Sequence, residues 1–265
     1  MGNSSFNYGA PVNNDIRYSS ISLESELNKT LEKDANGYYK ICLGAINSFN
    51  KKGEFYLADG FEDLISNPSS PLAIKLKEKN LVGEANHPAI KSNMSKQDFM
   101  ERVLRIELNN TSHHIKSIFT QPTNIPCGIP GKGNVIAIMG WVKPIGHLGK
   151  TLQDALDNPE QNVCFSVRSF TNDERIGGIT YKKFATIVTW DWVVSPGIKV
   201  ANKLDTFGME SFNDMALDLE TINNVYVNVS QRKVSNEDES VLAFINSMKR
   251  KIGMRDDISD ALRNW

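Results

Sequence analysis

The alternation of apolar and polar residues changes near residue 38. Residues 1–38 are mostly polar and rich in Asn and Ser, which predicts a polar N-terminal arm. From Tyr39 onward apolar positions alternate with polar ones, and β-branched and aromatic residues become frequent, as is typical of strands. We therefore assign residues 39–200 to a core domain. Its predicted strands cover 39–49, 54–58, 106–119, 134–142, 162–170 and 178–194.

Apolar residues at helical spacing predict helices between these strands. Ser95 followed by Asp98 has the form of a helix N-cap, and further helices are predicted at 71–80 and 148–158. Residues 201–265 form a C-terminal tail with one predicted strand at 223–231. A predicted amphipathic helix follows, with Val241, Phe244, Ile245 and Met248 on one face.

Helices scattered among strands without strict βαβ alternation favour an α+β fold with a barrel-like sheet. A doubly wound α/β fold is the weaker alternative. The 265 residues have 40% hydrophobic side chains and a formal net charge of -1, as expected of a soluble globular protein without a global surplus of basic residues. Three widely separated cysteines, Cys42, Cys127 and Cys164, predict no disulfide framework. We see neither a secretory signal nor an apolar run of about 18 residues, so we expect a cytosolic protein.

Three positions combine reactive side chains with a constraining context. His87 precedes Pro88, which disfavours helix and holds the backbone, as suits either a general base or a turn. Strand alternation places Cys164, Ser166 and Arg168 on one face, where a serine and an arginine suit nucleophilic chemistry or a solvent-facing strand. Asp191 lies between two tryptophans in an apolar run. Such a carboxylate needs a partner, either a catalytic histidine or a buried arginine.

Two other patterns are weaker. GHLGKT at 146–151 follows a strand and precedes a helix, but Pro144 occupies the position where a phosphate-binding loop needs glycine. His113 and His114 are adjacent on a predicted strand and so point to opposite faces, which disfavours a shared zinc ion. We expect no metal, no cofactor and no nucleotide.

Five segments follow one another along the chain: NKKGEFY (50–56), LVGEANHP (81–88), TSHHI (111–115), FSVRS (165–169) and TWDWVVSP (189–196). In this order they resemble motifs of the prohead maturation proteases of tailed bacteriophages, relatives of the herpesvirus assemblins. The segment LVGEANHP resembles the family's Gly-Glu-x-x-His-Pro element, and FSVRS resembles its nucleophile strand, although Ser169 stands where glycine is usual. The resemblance extends over about residues 40–198.

The resemblance implies an assemblin-like antiparallel β-barrel flanked by helices and a serine endopeptidase. Ser166, two residues before Arg168, would be the nucleophile, with Ser169 as the second choice. His87 would be the general base and Asp191 the third member of the triad. Arg168 would support the oxyanion hole. Glu84 and His113 lie in matching motifs and are interpreted as secondary candidates, structural rather than catalytic.

The resemblance also implies where the enzyme acts. The expected site is the prohead interior in the bacterial host. The expected substrates are scaffold or core proteins, arms of the major capsid protein and the enzyme itself, all cut after glutamate. In this chain the candidate self-cleavage sites are Glu24, Glu210 and Glu237. The resemblance implies association into a homo-oligomer, and the C-terminal tail would be removed by self-processing or would dock to the scaffold. The alternative functions are a non-catalytic capsid-assembly or scaffold protein with the same fold, or a nucleotide-hydrolysing factor built on GHLGKT.

Overall fold

Two β-sheets form the framework of the fold in the computed structural model, which describes residues 16–19, 31–194, 216–232 and 236–251. The strands are β1 (Ile16–Ser19), β2 (Tyr39–Ile46), β3 (Ser48–Phe49), β4 (Phe55–Tyr56), β5 (Val82–Glu84), β6 (Thr111–Pro126), β7 (Asn134–Pro144), β8 (Cys164–Ile176), β9 (Ile179–Val193) and β10 (Ala216–Leu217). The helices are α1 (Phe61–Ser66), α2 (Pro71–Lys77), α3 (Lys96–Leu104), α4 (Gly149–Asp157), α5 (Leu219–Ser230) and α6 (Asn236–Lys251). The irregular order of helices and strands confirms the α+β class.

The first sheet is built around the long hairpin of β8 and β9, and its strand order is β10-β1-β8-β9-β4-β3. Its pairs are antiparallel except β4 with β9, which run parallel. The second sheet, β2-β7-β6-β5, is antiparallel throughout. Strand β1 falls within the predicted polar arm, yet it pairs with β8 from Ser169 to Asn172.

The two sheets approach each other at the end of β9, where Ala85 forms a single parallel bridge with Trp192. The described strands form no closed barrel, so the barrel prediction was too specific. The physical reason lies on the edge of β9 that does not pair with β8. There β4 pairs with Tyr181 and Lys182, which leaves β5 only the far end of the same edge.

Two hydrophobic cores stabilise this arrangement. The larger core fills the space between the two sheets and includes buried side chains of α1, α2 and α4. The smaller core lies where α3, α5 and α6 cover β8 and β9. Its buried members are Phe99, Met100, Val103, Leu104, Phe170, Val188, Ile222, Val225, Val229, Val241, Phe244, Ile245 and Met248.

The C-terminal segment differs from its prediction in one element. The predicted strand at 223–231 was wrong, because this segment lies in the α5 helix. Alternating valines suggested a strand, but the buried residues are Ile222, Val225 and Val229, which follow helical spacing. The side chain of Asp218 accepts a hydrogen bond from the Thr221 N–H and caps the helix.

Two other helix predictions are confirmed. Ser95 and Asp98 form a reciprocal capping box at the start of α3. The four apolar residues predicted on one face of α6 are all buried in the smaller core.

In the described part of the chain, no helix is both long enough and apolar enough to cross a bilayer.

Candidate active site

The β8–β9 ladder brings Ser166 and Asp191 together. The two residues are directly opposite each other in the antiparallel register, and opposite residues project to the same face of a sheet. Asp191 is fully buried, and only 2% of the Ser166 surface is exposed. The strand that carries Ser166 is buried on both faces from Cys164 to Thr171, so the interpretation as a solvent-facing strand is wrong.

His87 reaches this face from the segment after β5. Ala85 bridges to Trp192, and the Asn86 N–H donates to the Trp192 carbonyl at 2.6 Å. Asn86 has a φ of 62°, a left-handed conformation that turns the chain just before His87. His87 Nδ1 lies 2.7 Å from Asp191 Oδ2. Because an ionised carboxylate only accepts hydrogen bonds, Nδ1 carries the proton and Nε2 is the basic nitrogen when the ring is neutral.

Asp191 is held from three sides. Besides His87, Arg168 Nε donates to Oδ2 and Nη2 donates to Oδ1, both at 2.8 Å. The backbone N–H of Glu84 donates to Oδ1 at 3.1 Å. Burial alone would raise the pKa of Asp191, but the charge of Arg168 and the His87 hydrogen bond bring it down to about 2. The carboxylate is therefore ionised and fixed in orientation at neutral pH.

Glu84 is a second buried carboxylate, next to the Asp191–Arg168 ion pair. It accepts hydrogen bonds from Arg102, the Glu107 N–H, Asn110 and, at 3.3 Å, Arg168 Nη1. Burial acts to raise the pKa of Glu84, but hydrogen bonds from Arg102 and the charge of Arg168 lower it overall. Glu84 therefore carries a negative charge that helps to neutralise Arg168.

His113 lies close to the site without joining the Asp191 hydrogen-bond network. It is fully buried, its Nδ1 lies 2.8 Å from Ser112 Oγ, and its ring packs edge-on to Phe165. Burial lowers the pKa of His113 to about 4, so the ring is neutral near pH 7. Gly83 is required between this ring and β9, because a Cβ there would lie 2.1 Å from the Trp190 carbonyl oxygen and 2.3 Å from His113 Cε1.

The remaining sequence candidates lie elsewhere. Ser169 is buried opposite Ile187, beyond a register shift that separates it from the Ser166–Asp191 pair. Just before the GHLGKT segment the Ile145 N–H donates to the Ser112 carbonyl, and within the segment the Leu148 N–H donates to the Thr111 carbonyl. Those donors are committed to β6 and cannot also line a phosphate cradle.

His114 is on the opposite side of its strand from His113 and is within hydrogen-bonding distance of the Tyr38 hydroxyl and the Lys79 carbonyl. The described residues contain no group of three or more His, Cys, Asp or Glu side chains arranged to hold a metal ion.

Two further arginines contact Glu84 and Arg168, and they were not predicted from the sequence as part of the site. Arg102 contacts both oxygens of Glu84. The backbone carbonyl of Arg105 accepts a hydrogen bond from Arg168 Nη1 at 2.9 Å. Both lie at the end of a predicted helix, where basic residues are common, so their residue type carried no special signal.

Comparison with known proteins places the chain in a family. The Peptidase S80 family matches residues 18–253, and the chain belongs to this peptidase family. It is 33% identical over 212 residues to the capsid maturation protease of Pseudomonas phage phiKZ, covering 78% of this chain and 76% of the relative. The structure of the bacteriophage T4 capsid assembly protease aligns with a TM-score of 0.46 and 12% identity, covering 68% of this chain and 99% of that one. The predicted kinship with phage head-maturation proteases is confirmed.

Proposed function

We propose that the protein is a serine endopeptidase of phage capsid maturation, with Ser166, His87 and Asp191 as its catalytic triad. The observation that carries the proposal is the 2.7 Å contact between His87 and a buried, ionised Asp191 that lies directly opposite Ser166. Membership of a peptidase family gives this arrangement its reaction class.

In the proposed reaction, Ser166 Oγ attacks the scissile carbonyl carbon while its proton passes to His87 Nε2. The imidazolium is stabilised by Asp191 and returns the proton to the departing amine as the C–N bond breaks. Water then attacks the acyl-enzyme with His87 again as base, which releases the carboxylic acid and restores Ser166. Asp191 remains ionised throughout and holds His87 in the required tautomer.

Arg168 has a defined place in this scheme. Its guanidinium donates to both oxygens of Asp191 and to Glu84, so we assign it chiefly to orienting the Asp191 carboxylate. A contribution of Arg168 to the oxyanion hole stays a prediction, with backbone N–H groups as the other donors. Arg168 is fully buried, so its charge is neutralised by Asp191 and Glu84 rather than by solvent.

The proposed substrates are scaffold or core proteins and arms of the major capsid protein inside the prohead. This proposal is supported by the phiKZ relative, which is a capsid maturation protease. Cleavage after glutamate, including self-cleavage, remains a prediction. Glu237 lies in the first turn of α6, whereas Glu24 and Glu210 lie outside the described residues.

The test combines intact-mass spectrometry with labelling by a fluorophosphonate, which modifies activated serines. We expect the wild-type chain to shorten after Glu24, Glu210 or Glu237 and to be labelled once, on Ser166. Ser166→Ala should stay whole and unlabelled, whereas the matched variant Ser169→Ala should behave as wild type.

Labelling that persists in Ser166→Ala would contradict the assignment of the nucleophile. A folded wild-type chain that is neither labelled nor active on capsid and scaffold proteins would favour a non-catalytic assembly protein.

A further inference from the structure

The C-terminal end of α3 holds the side of Arg168 that faces away from Asp191. Arg168 Nη1 donates to the carbonyl of Arg105 at 2.9 Å and lies 3.4 Å from that of Val103. The last carbonyls of a helix lack intrahelical partners and carry the negative end of the helix dipole. They therefore form a suitable acceptor for a buried guanidinium, and their position helps to decide where Arg168 lies.

The position of Arg105 is in turn set by its side chain. The Arg105 guanidinium pairs with Glu101 one turn earlier in α3 and with Asp238 in α6. Only 6% of the Asp238 surface is exposed, so this carboxylate is an interior partner rather than a solvated surface charge. Arg102 also donates to the Arg105 carbonyl at 3.2 Å, and Arg102 in turn contacts both oxygens of Glu84.

Apolar contacts keep α6 in place behind this ion pair. Val241, Phe244, Ile245 and Met248 are buried against α3, β8 and β9. The face of α6 that could bind a scaffold protein is therefore occupied within the chain itself. A continuous set of contacts runs from Asp238 through Arg105 and Arg168 to Asp191 and His87.

We infer that Asp238, acting through Arg105, is a positioning residue for the Asp191–His87 pair. The inference rests on the proposed function, because the pair is taken to be catalytic. Asp238 pairs with the Arg105 side chain, and the Arg105 carbonyl binds Arg168, so the backbone of Arg105 is the route by which Asp238 acts on the site. The C-terminal helix is thus part of the catalytic unit, and self-cleavage after Glu210 or Glu237 that released α6 would end activity.

The variant Asp238→Asn tests this inference because it keeps the shape of the side chain and removes its charge. We expect kcat on a capsid-protein substrate to fall roughly tenfold with little change in KM, since small displacements of catalytic groups reduce rates by up to about 10²-fold. Asp154→Asn is the matched control. Its carboxylate belongs to an exposed ion pair with Lys150 in α4, and it should leave kcat unchanged.

A second measurement separates positioning from stability. The proton on His87 Nδ1 that bonds to Asp191 should give a low-field NMR resonance, identified by its loss in His87→Gln. In folded Asp238→Asn this resonance should shift or broaden, whereas an effect on stability alone would leave it in place. An unchanged resonance together with an unchanged kcat would overturn the inference. If wild type and Ser166→Ala are equally inactive, the proposed function fails. The resonance still reports whether Asp238 affects the hydrogen bond between His87 and Asp191.

Discussion

At the scale of single residues, the charge of Asp191 determines what the site can do. Its pKa of about 2 results from the opposition of burial, which disfavours the charge, and Arg168, which favours it. We predict that Asp191→Asn reduces kcat/KM by about 10³–10⁴-fold, because an amide no longer selects the His87 tautomer with the proton on Nδ1. The variant should also lose about 3–5 kcal/mol of stability, since it removes one of the two carboxylates paired with the buried Arg168 and leaves only Glu84 to neutralise it.

Peptidase assays and denaturant unfolding test the two effects separately. The matched control is Asp173→Asn, which removes a carboxylate paired at 3.0 Å with the buried Lys182, away from the site. The control should lose stability but keep kcat/KM. Equal losses of activity in both variants would mean that Asp191 acts only through the fold.

His113 is predicted to make stability depend on pH. Because burial lowers its pKa from 6.5 to about 4, the unfolded chain binds a proton below pH 6.5 that the folded chain does not. The free energy of unfolding should therefore fall as the pH drops from 6.5 to 4, by about 3 kcal/mol from this group alone. Above pH 6.5 the contribution should be constant.

Urea unfolding at a series of pH values checks this prediction. His113→Gln should show a shallower fall in stability between pH 6.5 and 4 than wild type. The control His147→Gln replaces an exposed histidine. Parallel pH curves for wild type and His113→Gln would show that His113 is not the group responsible.

At the scale of elements, the approach of β5 to β9 brings His87 to Asp191. Gly83 permits this approach, and the Thr189 hydroxyl donates to the Val82 carbonyl at 2.7 Å across the same junction. We predict that Gly83→Ala moves β5 away from β9, costs about 1–3 kcal/mol and reduces kcat/KM at least tenfold. Gly149→Ala is the control, because its nearest contact would be 3.3 Å. Activity retained in Gly83→Ala would mean that His87 is positioned independently of β5.

The same junction shows how far the sequence could predict the structure. The apolar context of Asp191 indicated a partner, and its contacts with His87 and Arg168 confirm that one exists. Local periodicity could not reveal that Glu84 and the end of α3 would surround Arg168, because those contacts join residues 63 to 84 positions apart. For α5, packing against α3 decided the structure, and the alternating valines were misleading.

At the scale of the whole molecule, the smaller core joins the C-terminal helices to the sheet that carries Ser166. Phe170 and Val188 of the β8–β9 hairpin pack in the same cluster as residues of α3, α5 and α6. The sequence indicated the apolar face of α6 but not its partner, since an amphipathic helix can cover its own domain or another protein. Because the apolar face of α6 is buried against other elements of the same chain, α6 covers its own domain.

Phe244→Ala tests whether the C-terminal helices and the sheet unfold as one unit. Phe244 is fully buried in the smaller core, and truncating a buried phenylalanine costs about 3–5 kcal/mol. We expect this loss in denaturant unfolding, with a single transition when far-UV circular dichroism and tryptophan fluorescence are followed together, because Trp190 lies in the larger core. Val227→Ala, at an exposed position of α5, should change the stability by less than about 0.5 kcal/mol. Two separate transitions in Phe244→Ala, with the fluorescence change at the wild-type midpoint, would show that the C-terminal helices unfold without the sheet that carries Ser166 and form a separable module.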